Sequence, residues 1–190
     1  MKARLALIAT TCVAAVISAC GDPTSIKATF ATSVDTLSVF ALSGTPPAYP
    51  SGLNIVAGQP VRVDGFADFD VAFDLDNGGN AVVYPVKLVV VGGARSVGMQ
   101  KVSGTFETIT AAPKTGYNVD DPVTLAPGEV VVLEAAHNIG QDVCSFALSG
   151  NIYAKIGLDS VNLASRTLYL RMGLDPNCGF RSFEAGIPTS

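Results

Sequence analysis

The stretch DFDVAFDLDNGGNAVV, residues 68–83, alternates apolar and acidic side chains and then reverses direction. Over residues 68–76 every second side chain is apolar, from Phe69 to Leu75, whereas most of the others are aspartates. Successive side chains of a strand point to opposite faces, so the pattern predicts a β-strand with one core face and one acidic, solvated face. The NGGN sequence at residues 77–80 suits a tight turn, and a hairpin is expected here.

The sequence after this turn predicts a second strand over residues 81–91, and Pro85 lies inside it. Proline has no N–H group to donate to a neighbouring strand. We therefore expect this strand at a sheet edge or with a bulge at Pro85.

The remainder of the chain after residue 26 has the same character, because residues with high β propensity alternate with Gly, Pro, Asn and Asp clusters. Strict alternation over residues 144–158 predicts either one long bent strand or a hairpin with an odd-length loop at residues 149–151. Residues 166–172 predict a further strand. No stretch has the apolar spacing of an amphipathic helix over three turns. The expected fold is all-β, an antiparallel β-sandwich forming one domain over residues 26–190.

Two motifs in this region carry a family resemblance. An Asn-Gly turn at residues 77–78 is followed by VTLAPGEVVV at residues 123–132. This order resembles the turn and Leu-x-Pro-Gly-Glu sequences of bacterial immunoglobulin-like envelope domains of the cell-adhesion-related type. The resemblance covers residues 58–136 and implies an immunoglobulin-like sandwich, without carrying over any catalytic residue.

The N-terminus has the organisation of a secretion signal. Lys2 and Arg4 precede a thirteen-residue apolar run at residues 5–17, which is too short to span about 30 Å of hydrocarbon comfortably. The ISAC sequence at residues 17–20 resembles the lipobox of bacterial lipoproteins. That resemblance implies cleavage after residue 19 and a diacylglyceryl group on Cys20.

The lipobox resemblance also implies where the mature protein resides. Residues 20–25 would form a lipidated tether, and the membrane would be contacted through the lipid. In proteobacteria an Asp directly after the lipidated cysteine favours the inner membrane, whereas this chain has Gly21 there. The resemblance therefore implies the cell envelope, and the outer membrane if two membranes are present.

The charge of the mature chain limits its partners. Removal of residues 1–19 leaves ten basic and sixteen acidic side chains, a formal net charge of −6. Such an acidic protein is not expected to bind nucleic acid or anionic lipid headgroups.

The cysteines predict a single disulfide. Cys12 leaves with the signal and Cys20 takes the lipid, so Cys144 and Cys178 remain together in an oxidising compartment. A bond between them closes a loop of 34 residues and stabilises the fold by about 4 kcal/mol on the chain-entropy model.

The sequence offers no constellation for catalysis. Nucleophilic catalysis needs a base, most often histidine, and His137 is the single histidine of the chain. No Gly-x-Ser-x-Gly elbow accompanies it. We therefore expect no catalytic residue, no cofactor and no enzymatic activity.

Calcium binding at the acidic strand is the open alternative to a solvated face. Asp70, Asp74 and Asp76, with Asn77, are the candidate ligands, since hard cations prefer several oxygen ligands. The spacing departs from an EF-hand loop, because Gly78 replaces a ligand and Pro85 stands where the bidentate Glu would be. A solvated acidic face is expected.

The two C-terminal strands suggest a second candidate site. Tyr153, Lys155, Tyr169 and Arg171 fall on their polar faces and, if the strands pair, form an aromatic and cationic patch suited to sugar or peptide. The open alternative is that these side chains simply suit half-exposed strand positions.

The function predicted from the sequence is that of a non-catalytic lipoprotein of the cell envelope. Its structural or binding role would involve another envelope protein or a glycan. A carbohydrate- or calcium-dependent binding module is one alternative, and a hydrolase assembled from scattered carboxylates is another.

Overall fold

A computed structural model of the chain describes residues 27–64, 68–90, 95–136, 144 and 149–189. The predicted signal sequence, Cys20 and His137 lie outside the described residues. Nearly all of the regular structure in the described part is β, as the sequence predicts.

The described part of the chain forms ten strands and one helical turn. In chain order the elements are β1 (Ser33–Phe40), β2 (Gly52–Asn54), β3 (Gln59–Val61), β4 (Val71–Leu75), β5 (Ala81–Pro85), α1 (Val86–Val89), β6 (Val97–Val102), β7 (Val123–Leu125), β8 (Val130–Ala136), β9 (Asn151–Asn162) and β10 (Thr167–Asp175).

The strands form two five-stranded antiparallel sheets. Sheet I has the order β1-β10-β9-β8-β6, and sheet II has the order β3-β2-β4-β5-β7. Ile156 and Leu170 of sheet I and Val71 and Phe73 of sheet II are fully buried in one continuous apolar core. The two sheets therefore share a core, to which each contributes alternate residues of its strands.

The hairpin predicted from residues 68–83 is present. Leu75 of β4 lies opposite Ala81 of β5, and Gly79 adopts a φ of +81°, which a side chain would disfavour. The Asp76 carboxylate accepts hydrogen bonds from the backbone N–H groups of Gly78 and Asn80, at 2.8 and 2.9 Å. The turn is thus closed by glycine conformation and by a local carboxylate.

The expectation of an edge strand or of a bulge at Pro85 is wrong, because β5 has a neighbour on each side and its register with β4 is continuous. β5 lies between β4 and β7, although its pairing with β7 ends at Val83. Pro85 is the last residue of the strand, beyond that ladder, where no N–H is needed on the β7 side. The chain then enters α1, and Val86 donates its N–H to the carbonyl of Asp70 at 2.9 Å. The strand predicted over residues 81–91 is accordingly shorter.

The alternating segment before residue 158 belongs to one long strand from Asn151 onward. β9 continues to Asn162 and pairs with β10 through a hairpin. Residues 145–148 of the predicted alternation lie outside the described residues. β10 itself has Leu168, Leu170 and Met172 fully buried, as predicted.

The predicted disulfide is confirmed. Cys144 and Cys178 are bonded, with their Cα atoms 5.4 Å apart, and both residues are buried. The bond attaches the segment after β10 to the segment before β9.

Candidate functional site

The predicted acidic face is not solvated along its whole length. Asp70 is 0% exposed, and its Oδ2 accepts the N–H of Ile55 at 2.7 Å. Arg95 Nε lies 3.6 Å from the other carboxylate oxygen. Ala72, on the same predicted face, is also buried. The segment after β2 and the Arg95 side chain occupy the space that solvent was expected to fill.

Asp74 lies at the far end of β4 from Asp70, in an ion pair with Arg166 at 3.2 Å. The hydroxyl of Ser43 donates to its Oδ2 at 2.5 Å. Burial raises the pKa of this carboxyl, but the hydrogen bonds from Ser43 and from the N–H of Leu75, with the Arg166 charge, outweigh burial and lower it. Asp74 is therefore a partner of Arg166, with both oxygens engaged.

Asp76 and Asn77 lie in the adjoining turn. Asn80 donates its side-chain N–H to Asp76 Oδ2 at 2.9 Å, and this bond and the backbone N–H of Asn80 lower the pKa of the carboxyl. Asn77 is exposed. Within the described ranges, no group of three or more His, Cys, Asp or Glu residues is placed to hold a metal ion. The four candidate ligands are divided between the two ends of β4.

The predicted aromatic and cationic patch is brought onto one face but is largely covered. β9 and β10 pair, which places Tyr153, Lys155, Tyr169 and Arg171 on the face of sheet I that points away from the shared core. We call this the outer face. Lys155 is only 4% exposed and Tyr153 is buried beside it, whereas Tyr169 is 42% exposed. Of the four, Tyr169 is the most accessible.

Lys155 connects the outer face to the loop between β6 and β7, residues 103–122, which covers it and which we call the covering loop. Its ammonium group donates to the carbonyls of Phe106 and Ile109 at 2.5 and 2.8 Å and lies 4.2 Å from the centre of the Phe106 ring. Burial lowers its pKa. A second aromatic ring, Phe183, approaches within 5.5 Å. Through these contacts Lys155 holds the covering loop against β9.

Arg171 also contacts the covering loop, on the side of Phe106 that is nearer to solvent. Its guanidinium lies 4.7 Å from the Phe106 ring centre and donates to Asp159 at 2.8 Å. It also forms an ion pair with Glu107 of the covering loop. The hydrogen bonds to Glu107 and Asp159 raise the pKa of Arg171.

Glycines of the outer face allow side chains of the covering loop to lie close to the strands. A Cβ atom on Gly157 would lie 3.0 Å from Phe106 Cδ2, and one on Gly98 would lie 2.7 Å from Tyr117 Cβ. Strand glycines commonly mark such close approaches. Gly98 and Gly157 are therefore the local signal in the sequence that points to a covered face rather than an open one.

β1 lies at one edge of sheet I, so one side of this strand has no neighbouring strand among the described residues. Ala41 donates its N–H to Arg166 on the β10 side, whereas Phe40 donates to Pro50 on the opposite side. Odd-numbered residues of β1 therefore direct their backbone groups toward β10, and even-numbered residues direct theirs away. Thr32, on the same side as Phe40, donates to Gly186 at 3.0 Å.

Between these two hydrogen bonds, residues 34–38 form a strand edge with which no other described strand pairs. Three residues direct an N–H and a C=O group away from β10, and within the described part of the chain no backbone partner meets them. These residues are Val34, Thr36 and Ser38. We call this segment the β1 edge.

The side chains beside the β1 edge differ between its two faces. On the outer face Val34 is 61% exposed, and Tyr169 lies directly across from Ser38. Asp35 points to the other face and is exposed. The edge thus combines apolar and aromatic surface on one face with a carboxylate on the other.

An apolar groove lies where β1 begins. It has a volume of about 390 Å³, and its lining comprises Phe30, Ala31, Ser33, Val56, Ile152, Leu174 and Pro176. The backbone of Phe30 is held at the rim by Asn177, which accepts its N–H at 2.9 Å and donates to its C=O at 2.8 Å. The groove therefore has a fixed aromatic rim.

Comparison with family models, with curated proteins and with solved structures finds no match for this chain. In the portion that the structure describes, no helix has the length and apolar character needed to cross a membrane.

Proposed function

We propose that this chain is an exported, lipid-anchored protein of the cell envelope that binds an extended segment of another envelope protein and catalyses no reaction. The signal-like residues 1–19 and the lipobox resemblance around Cys20 support export and anchoring. Gly21 favours the outer membrane if there are two. Two antiparallel sheets with a common core support an immunoglobulin-like sandwich over residues 26–190.

The β1 edge carries this proposal. A row of unpaired N–H and C=O groups at a sheet edge is a template for another strand, and extended peptides use such edges by adding to the sheet. The row here spans residues 34–38 and is bounded by the Thr32–Gly186 and Phe40–Pro50 hydrogen bonds. A partner strand of about five residues fits the open length.

The flanking side chains favour a protein segment over a glycan. On the outer face, a strand paired to β1 would place side chains beside Val34 and Ser38, with Tyr169 of β10 one strand further away; on the other face it would place them beside Asp35. Cross-strand neighbours of matching polarity or opposite charge stabilise such pairs. We therefore expect a segment that places an apolar residue beside Val34 and a basic residue beside Asp35. Sugar stacking is less favoured, because Tyr153 is covered.

Substitution of Thr36 by proline tests this mode of binding. The N–H of Thr36 points away from β10, so proline leaves the β1–β10 ladder intact but removes the central donor of the edge. Peptides selected for binding to the whole protein from a library of extended sequences serve as probes. We expect Thr36→Pro to weaken their binding about tenfold or more, equivalent to about 1.4 kcal/mol.

Thr36→Val is the matched control, because it retains the N–H and the extended conformation. Equal affinity of the Thr36→Pro and wild-type proteins, or a selection that yields no binding peptide, would contradict strand addition at this edge. Incorporation of labelled palmitate, lost in Cys20→Ser, separately tests the anchor.

A further inference from the structure

We infer that the end of the molecule that carries Phe30 and Ile187 rests on the lipid bilayer that holds the anchor, with both side chains entering the headgroup region. We call this the Phe30 end. The inference rests on the proposed lipidation of Cys20 and adds an orientation of the fold relative to the membrane.

The length of chain after Cys20 limits how far this end can lie from the bilayer. Near the start of the described residues, Thr29 is held to the fold by Asn177, which accepts its N–H at 2.8 Å. Eight residues lie between Cys20 and Thr29, and the nine peptide units that join their Cα atoms span at most about 32 Å at full extension. Ser33 pairs with Leu174, so the β9–β10 hairpin lies at the other end of β10, about 26 Å further along the strands. The Phe30 end is therefore the nearer one.

The Phe30 end exposes large apolar side chains on chain segments whose backbone is held by hydrogen bonds. Phe30 is 61% exposed and Ile187 is 56% exposed. The hydrogen bond from Thr32 to Gly186 places the two chain segments side by side. Asn177 forms hydrogen bonds with both the N–H and the C=O of Phe30. The exposed Phe30 side chain is therefore attached to a backbone that is held in place. Held apolar side chains at a surface are suited to contact with another apolar phase.

The groove beside Phe30 extends this apolar surface. Removing such surface from water is favourable. The mature chain has a formal net charge of −6, so attraction to anionic headgroups would not drive the contact. The expected partner is a zwitterionic bilayer, entered by apolar side chains at the boundary of headgroups and acyl chains.

Fluorescence quenching in vesicles tests the orientation. The full lipidated protein is reconstituted into phosphatidylcholine vesicles that contain lipids spin-labelled at the headgroup. An environment-sensitive fluorophore is attached through Ile187→Cys or Phe30→Cys, because the native cysteines are bonded to each other or to lipid. Leu163→Cys is the matched control, since Leu163 is 63% exposed and belongs to the β9–β10 hairpin at the opposite end.

We expect the headgroup quenchers to remove most of the emission from the two labels at the Phe30 end and little from the label at position 163. Similar quenching at all three positions, in protein that floats with the vesicles, would overturn the orientation and leave the anchor standing. Protein that does not float would overturn the anchor, and with it this inference.

Discussion

A single buried lysine fastens the covering loop to the outer face of sheet I. The ammonium group of Lys155 occupies two backbone carbonyls, and the ring of Phe106 lies against it. Its removal would leave both carbonyls of the loop without their donor, and buried polar groups that lose a partner are destabilising. The same residue was a candidate for ligand binding in the sequence, where its polar character was visible but its burial was not.

Lys155→Met therefore tests whether Lys155 holds the covering loop in place. We expect it to lower the free energy of unfolding by about 1–3 kcal/mol, because the methionine fills the space without donating to Phe106 or Ile109. Lys114 is an exposed residue of the same covering loop, and Lys114→Met should change the free energy of unfolding by less than about 0.5 kcal/mol. Denaturant unfolding of both variants gives the comparison, and equal effects would argue that Lys155 does not hold the loop.

Asp175 predicts a dependence of stability on pH. It is fully buried at the end of β10, and burial raises the pKa of its carboxyl despite hydrogen bonds from Asn177 and Ser182. The folded state thus binds the proton more tightly than the unfolded state does. The stabilising contribution of this group is complete below its ordinary pKa of 3.8 and is lost as pH rises through the raised folded value.

Asp175→Asn should remove this contribution. We expect the unfolding free energy of the wild type to fall, relative to that of Asp175→Asn, as pH increases above 3.8, and the difference to become constant above the folded pKa. Asp35→Asn removes one carboxylate at an exposed position and serves as the control. Parallel pH profiles for wild type and Asp175→Asn would show that Asp175 does not titrate in this way.

At the level of elements, local pattern predicted the strands whose two faces differ. The β4–β5 turn and the apolar side of β10 were readable, because glycines at the turn and period-two alternation are local signals. The burial of the polar side of β9 was not, because the atoms that cover Lys155 belong to residues 46 and 49 positions earlier in the chain. The position of the strand that contains Pro85 was mispredicted for a related reason. Its ladder with β7 ends at Val83, and where a ladder ends depends on the neighbouring strand.

The close approach of the covering loop to the outer-face glycines predicts that a larger side chain at these positions would clash with the loop. In Gly98→Ala the added methyl group would approach Tyr117 Cβ to 2.7 Å, so we expect a loss of about 1–3 kcal/mol in unfolding free energy. Tyr117→Gly removes the opposing Cβ atom together with its ring. If the two residues meet as described, the double variant loses less stability than the sum of the single variants. Additive losses in a double-mutant cycle would show that they do not.

Across the whole molecule, the two proposed contacts use different surfaces. The Phe30 end lies where β1 begins, and the β1 edge runs along the side of sheet I from that end. A protein resting on the bilayer by the Phe30 end would therefore leave the edge facing the surrounding envelope. Membrane contact and strand addition can occur together, since the Thr32–Gly186 bond separates one surface from the other.

The Cys144–Cys178 disulfide links stability to this arrangement. It joins residues 34 positions apart, and its second cysteine directly follows Asn177, the residue that holds Thr29 and Phe30. A closed loop of this length restricts the unfolded chain, so loss of the bond should lower the unfolding free energy by about 2–4 kcal/mol. We expect reductant to move the denaturation midpoint of the wild type to lower denaturant, and to have no effect on a Cys144→Ala, Cys178→Ala double variant. An unchanged midpoint in reduced wild-type protein would mean that packing alone holds the segment after β10, and that the bond contributes little to the position of Phe30.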